Sequence, residues 1–398
     1  MDPTLGPHCA ERDFLIVRVK MLSDFADEAI ALAFRFIREA DFSDTKRLVD
    51  LLLEYRNDLD SSLAPGGNQY AVSRAGATTG RTRAVDELWN GLSQVRFVRD
   101  LSSAMKAKGE QNRLVSRLDA IRARLLESGM IVNLTGTREI LDSMTTSIAR
   151  HAASFSAPSP RPSYASDLRA LFALTEPVAD TSHPRAESGT SDKIDAPNIW
   201  NAPSRELVSA NLQVGFAAAV LPSPEYGTAE HPADIVFGHW LANGLLWEKI
   251  RTTGGAYGAF AYPDSLENVF VLATYRDPTP CDSLDAFHDA LIHAAEHPID
   301  PVSLEKTITG CYSREIQPRA PADRGFTAFI RILYGISDEV RKAKISGIVS
   351  VTPEELTRCA RRLLGDWPVV REVVLAGKKQ VKGGMKSEFP GKVIRYTI

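Results

Sequence analysis

A buried-looking helix that runs straight into two glycines and a strand pair constrains this chain more than any other stretch. From Ile235 to Ile250 the residues are apolar on nearly every face (Val236, Phe237, Trp240, Leu241, Leu245, Leu246, Trp247), the pattern of a helix surrounded by core. Such a helix delivers Arg251 to its own C-terminus, where a cation suits the negative end of the macrodipole. Gly254-Gly255 then lets the backbone take positive φ and turn out of the helix. The residues from Tyr257 to Tyr262 and from Val269 to Tyr275, joined by Pro263-Asp-Ser-Leu-Glu-Asn268 and closed by Arg276-Asp-Pro278, read as an antiparallel hairpin.

At 398 residues, 44% hydrophobic and 24% charged, the chain has room for two globular domains. A net charge of -3, without a stripe of Lys and Arg interleaved with aromatics, speaks against nucleic acid as a partner. Cys9, Cys281, Cys311 and Cys359 are scattered, with no C-x-x-C spacing, which suggests reduced thiols in an intracellular compartment. The N-terminal residues carry no basic region followed by an apolar run, and no stretch reaches the roughly 18 apolar residues of a membrane span. The expected location is therefore cytoplasmic, with no membrane partner and an organelle not excluded.

In chain order, Phe14 to Met21 reads as a strand, and Asp24 to Ala40 as a helix with apolar Phe25, Ala29, Leu32 and Phe36. A second helix runs to Leu59 and is expected to break at Pro65-Gly66-Gly67. Helices follow over Arg83 to Met105, Glu110 to Glu127 and Arg138 to about Ala153, with Gly129 to Thr135 read as a strand. Residues 154–203, rich in Ser, Pro and Ala with a short apolar helix around Leu168 to Leu174, read as an interdomain linker between a partial domain over 1–153 and a C-terminal domain over 204–398. In the latter, Leu207 to Val220 reads as a strand, followed by the hairpin. Helices are expected from Ser283 to about His297, Pro301 to Ile316, Phe326 to Tyr334 and Thr352 to Leu364, with a last strand from Val369 to Leu375.

The motif Leu245-Leu-Trp-Glu-Lys-Ile-Arg-Thr-Thr-Gly-Gly-Ala-Tyr-Gly258, with the later Tyr275-Arg-Asp-Pro278, resembles the C-terminal half of the pitrilysin/insulinase family of zinc metallopeptidases, most closely its presequence-protease branch. Phe42-Ser-Asp-Thr-Lys-Arg-Leu48, Ser61-Ser-Leu-Ala-Pro-Gly-Gly67, Trp89-Asn-Gly-Leu-Ser-Gln-Val95, Pro321-Ala-Asp-Arg-Gly325 and Gly335-Ile-Ser-Asp-Glu339 extend the likeness over most of the chain outside the linker and termini. The resemblance implies an α+β fold of two related sandwich-like domains, each an antiparallel sheet packed on helices, the first lacking its earlier strands. It also implies that Arg251 and Tyr257 act on a scissile peptide carbonyl and that Gly254 and Gly255 lie against substrate. A guanidinium and a phenol are donors able to hold an oxyanion. No cofactor is expected in this chain. Zinc, nucleophilic water and general base would come from an N-terminal half acting as partner, with unstructured peptides as substrates.

Two other readings stand beside this one. The chain could serve as a catalytically inactive peptide-binding or scaffolding subunit, or a relic, of the same family. It could also be an autonomous zinc peptidase, because His293-Ala-Ala-Glu-His297 matches H-x-x-E-H and Glu372 follows as a candidate third ligand. Three features oppose that assignment. The two histidines fall opposite the apolar stripe of Leu284, Phe287, Leu291 and Ala295, Pro298 follows His297 directly, and Glu372 reads as lying on a strand.

Overall fold

The computed structural model describes residues 14–152, 155, 204–382, 389 and 391–398, so nearly all of the expected 154–203 linker, its short helix and Cys9 lie outside the described residues. Two units are distinguished: the described residues of Met1–Asn57, Val98–Ser166 and Pro318–Ser337, and those of Asp58–Phe97, Asp167–Gln317 and Asp338–Ile398.

In the first unit, α1 (Ala26–Glu39) packs on α6 (Arg138–Ala152) through Ala26, Ile30, Phe34 and Met144. The stripe expected to be buried is the exposed one: Phe25, Leu32 and Phe36 face outward. Two rival apolar stripes run along α1, and contact with α6 selects between them. The strand expected from Phe14 to Met21 does not form. Those residues have no regular secondary structure, and Leu15 and Ile16 are 65% and 59% exposed, while Arg18 lies over the ring of Phe326 at 4.1 Å. Gly129 to Thr135 likewise forms no strand. With β-branched side chains but no neighbouring strand among the described residues, neither segment has a ladder there to join. Helix α5 (Glu110–Glu127) is found where expected. Helix α10 (Pro321–Leu333) opens at Pro321, earlier than the expected Phe326.

The second unit is built on one six-stranded sheet in the order β3-β4-β2-β5-β1-β6, comprising β1 (Ser204–Ala210), β2 (Phe216–Pro222), β3 (Gly258–Asp264), β4 (Val269–Tyr275), β5 (Arg371–Gly377) and β6 (Lys392–Thr397). It is mixed: β1 runs parallel to β5 and β6, and the remaining pairs are antiparallel. The single strand expected from Leu207 to Val220 is thus two strands joined at 211–215, with β5 inserted between them. On one face Ala217, Ala219, Leu221 and Leu272 meet α7 (His231–Asn243), α8 (Pro280–Glu296) and α12 (Pro353–Gly365) through Phe237, Leu241, Phe287, Leu291 and Leu363. Helices α9 (Pro301–Glu315) and α11 (Asp338–Val349) pack beside α7. α12 starts at a capping box, in which the Thr352 hydroxyl accepts from the Glu355 N–H and the Glu355 carboxylate accepts from the Thr352 N–H.

The opposite face, from Phe216, Ala218, Val220, Val271 and Leu375, is covered by Leu63, Tyr70, Ala71, Leu92 and Val95. Here α2 (Thr45–Gly76) does not break at Pro65-Gly66-Gly67 but continues as one helix of 32 residues. Gly67 is there for closeness: a Cβ would stand 2.1 Å from the Phe216 ring. Arg74 near the end of that helix makes a two-pronged contact with Glu206 on β1, at 2.7 and 3.0 Å, and the Tyr396 hydroxyl donates to the same carboxylate at 2.9 Å. The expected helix from Arg83 to Met105 is divided at Gly91 into α3 (Arg81–Asn90) and α4 (Leu92–Ala104). The buried Glu87 carboxylate fills the space a Cβ at Gly91 would take, and it accepts from the Ser73 hydroxyl and from the N–H and hydroxyl of Ser93.

Candidate functional site

The helix before the hairpin is not one regular element. α7 ends at Asn243, Gly244 interrupts it, and residues Trp247–Thr253 form a π-helix of seven residues. Its closing bonds include Gly254 N–H to Lys249 C=O at 3.0 Å, one residue wider than an α-turn, and Ala256 N–H to Ile250 C=O at 3.0 Å, wider still. Arg251 thus lies in the last turn of a π-helix, not at the end of an α-helix. The two glycines do different work. Gly254 has helical φ, but a Cβ on it would approach the Ile250 carbonyl oxygen to 2.7 Å, whereas Gly255 takes φ 78° and makes the exit turn.

That exit places Tyr257 next to the end of β4. Its N–H donates to the carbonyls of Tyr275 at 3.0 Å and Arg276 at 3.3 Å, and the Tyr257 and Tyr275 rings meet edge to face at 5.8 Å. The Arg251 guanidinium lies over the Trp247 ring at 3.9 Å and within 5.6 Å of the Tyr257 ring. Arg251 and Tyr257, matched from sequence alone, are therefore brought side by side. Tyr257 is 65% exposed and Trp247 43% exposed, so the ladder faces solvent. Among the described residues no carboxylate pairs with the Arg251 guanidinium.

Sequence reasoning did not single out Trp247 or Asp277. Trp247 counts as a core residue in the apolar run, yet its ring is the platform under Arg251. Asp277 is buried; it accepts from the Ser283 hydroxyl at 2.6 Å and the Thr279 N–H at 2.9 Å, while its backbone exchanges two hydrogen bonds with Gly215, at 2.7 and 2.8 Å. Burial holds its carboxyl above the ordinary Asp range. The Asp in Tyr275-Arg-Asp-Pro278 was the available signal, since an acid at the end of a buried strand requires partners.

β3 is the sheet edge on this side. In register, Phe260 pairs with Ala273 and Tyr262 with Val271, which puts both rings on the face that α2 and α4 cover further along the sheet. At β3 that face is only partly covered, with Arg83 of α3 bonded to Asp264 and with Phe260 39% and Tyr262 42% exposed.

His293 and His297 stack at 4.1 Å on the exposed side of α8, and the His297 Nδ1 lies 3.0 Å from the His293 carbonyl oxygen. Glu372 is elsewhere, buried in β5 and paired with the Arg205 guanidinium, which lies over the Phe389 ring at 4.4 Å. Among the described residues no group of three or more His, Cys, Asp and Glu side chains is arranged to hold a metal ion. The residues His293, His297 and Glu372 thus do not fit a zinc ion. The thiols of Cys281, Cys311 and Cys359 are buried and unbridged, and burial pushes that of Cys311 up to about 11. No helix among the described residues is long and apolar enough to cross a membrane.

Comparison with known proteins agrees with the motif. A family described as associated with subfamily C of the M16 peptidases matches residues 6–101, and one described as "PreP C-terminal domain" matches residues 214–371. Presequence protease 1, chloroplastic/mitochondrial, of Arabidopsis thaliana is 25% identical over 351 residues, covering 88% of this chain and 29% of that protein. The mitochondrial presequence protease of Xenopus tropicalis is 22% identical over 344 residues, covering 84% and 32%. A protein of Borreliella burgdorferi is 23% identical over 351 residues, covering 87% and 32%. The chain spans about a third of the length of these relatives. Both matched segments contain the motifs, and the chain is presequence-protease-like, similar to the C-terminal part of these peptidases of the pitrilysin/insulinase family.

Proposed function

We propose that this chain is the non-zinc half of a presequence-protease-like metalloendopeptidase that degrades unstructured peptides. In this reading Arg251 and Tyr257 hold the scissile carbonyl, and Gly254 and Gly255 lend it a backbone free of side chains. The observation that carries it is the Arg251 guanidinium, stacked between Trp247 and an exposed Tyr257 and lacking a carboxylate partner among the described residues. A cation held against aromatic faces keeps its N–H donors aimed outward, and a phenol beside it adds an O–H donor. As water attacks a peptide carbonyl, negative charge gathers on its oxygen. Donors already in place stabilise that charge more than they stabilise the ground state. Zinc, the attacking water and its general base would belong to an N-terminal half. The exposed apolar residues from Phe14 to Val19 are suited to pairing with a strand of that partner. The buried free thiols fit a reducing compartment, cytoplasmic or within an organelle.

The test is reconstitution. The chain mixed with the N-terminal half of a presequence protease is expected to hydrolyse an unstructured peptide in a chelator-sensitive way, although neither half does so alone. Tyr257→Phe is expected to lower kcat on the order of 10²-fold with little change in KM. A chain that binds no such half supports the scaffolding alternative, and an unchanged kcat reduces Tyr257 to packing.

A further inference from the structure

We infer that Arg276 is a second cationic contact of this site and that it takes a carboxylate of the bound peptide. The inference rests on the proposed function for the location of the peptide, but not for the chemistry of the contact.

Arg276 has φ 48°, in the left-handed region that side chains other than Gly and Asn seldom enter. The conformation is fixed from both sides. Before it, the Tyr275 and Arg276 carbonyls share the Tyr257 N–H. After it, Asp277 is anchored by Ser283, Thr279 and the backbone of Gly215. The result is a guanidinium folded back over the Tyr275 ring at 5.4 Å. Tyr275 meets Tyr257 at 5.8 Å, and Tyr257 lies 5.6 Å from Arg251. Two cations therefore bracket one aromatic pair, the exposed Tyr257 and the partly buried Tyr275.

Charge balance gives the ligand. Among the described residues neither guanidinium has a carboxylate within salt-bridge distance, and the adjacent acid, Asp277, is buried and occupied by Ser283 and Thr279. A neutral carbonyl oxygen calls for one guanidinium. A second one, held in an uncommon backbone conformation at the far side of the same rings, matches an anionic group elsewhere on the peptide, and a planar carboxylate suits guanidinium geometry. The carboxylate is either the C-terminus of the peptide or an Asp or Glu side chain.

The experiment measures binding to the full chain, without hydrolysis, of three fluorescein-labelled unstructured peptides of otherwise neutral sequence. One has a free C-terminal carboxylate, one is amidated, and one is amidated with a single internal Glu. The wild-type chain is expected to prefer at least one carboxylate peptide over the neutral amide by about 10-fold, the range of one charge-assisted contact. Which of the two is preferred identifies the source. Arg276→Asn, which tolerates the left-handed backbone, and Arg276→Gly, which removes its restriction, are both expected to erase the preference while changing affinity for the neutral amide less than about 2-fold. A wild-type chain with no preference, or with no binding to any of the three, overturns the inference. So does a variant that weakens all three equally. Because no turnover is read, an unchanged kcat in Tyr257→Phe defeats the catalytic reading and leaves this one intact, and a wild-type chain without a carboxylate preference does the reverse.

Discussion

Gly67 lies so close to Phe216 that a Cβ in its place would stand 2.1 Å from a ring carbon. Helix α2 can rest on β2 only with a bare backbone at that point. Gly67→Ala is expected to destabilise the chain by about 1–3 kcal/mol despite the higher helix propensity of Ala. Pairing it with Phe216→Leu is expected to recover part of the loss relative to the sum of the two single changes. Denaturant unfolding of the four chains checks this; additive losses would mean that the two residues are not in contact.

Trp247 carries no donor aimed at substrate in the proposed mechanism; it positions Arg251. Trp247→Leu is expected to lower kcat/KM of the reconstituted enzyme about 2- to 5-fold, the worth of a partly exposed cation–π contact, with unfolding little changed. Trp247→Phe, which keeps a π face, should restore most of it. A plain packing role would instead show as a fall in stability that Phe does not selectively correct.

The pairing of Glu372 with Arg205 makes stability, not metal, the property at stake. Burial holds the Glu372 carboxyl above its ordinary range, and Arg205 opposes that shift. Glu372→Gln removes the buried carboxylate that the Arg205 guanidinium pairs with and is expected to cost about 3 kcal/mol. His293→Ala, on an exposed helix face, should stay within about 0.5 kcal/mol of wild type. Neither change should alter zinc content, read by metal analysis of the purified chain. A zinc ion lost in both variants would reinstate the ligand reading.

His231 is fully buried at the start of α7, with its Nε2 against the Ser265 hydroxyl, and burial together with Lys344 lowers its pKa from 6.5 to about 4. Asp234 and Glu315 act in the opposite direction. Between those two values the unfolded chain binds the proton and the folded chain does not. The stabilising effect of a neutral His231 is therefore complete above about pH 6.5 and declines as pH falls toward 4, by roughly 2–3 kcal/mol. Glu267, raised to about 7 chiefly by burial, has the reverse sign: its protonation favours the fold as pH falls from 7 toward 4.5. His231→Gln separates the two. The stability difference between wild type and variant is expected to shrink by that amount from pH 7 to pH 4, and a difference independent of pH would show that His231 does not titrate in this window.

Elements with strong punctuation were legible. Pro301 and Thr352-Pro353 open helices at the expected places, and the hairpin from Tyr257 to Tyr275 forms with its turn at 265–268. What failed did so where tertiary contact decides. Pro65-Gly66-Gly67 has the composition of a breaker, but Gly67 answers to Phe216 across the chain. Gly91 looks neutral in a helical pattern, and only the buried Glu87 explains the division there. On α1 the pattern offers two apolar stripes and no means of choosing. β6 lies beyond a Lys- and Gly-rich stretch with no strand punctuation, and was not anticipated. In the candidate site, the nearness of Arg251 and Tyr257 was legible through their motif, their roles and those of the glycines being proposals. Trp247 was not, because hydrophobicity does not reveal which member of an apolar run is the one left facing out.

The π-helix from Trp247 to Thr253 makes the placement of Arg251 a matter of counting. A π-turn accommodates about one residue more than an α-turn over the same rise. It takes up one extra residue between the buried face of α7, set by Phe237 and Leu241, and the hairpin that begins after Gly255. Removing one residue from it would let the backbone relax to α with α7 and the hairpin still in phase, while Arg251, inside the segment, would turn about the axis relative to both. Glu248 and Lys249, both exposed, are open to replacement by many side chains, but neither is open to deletion. What this segment must keep is its length.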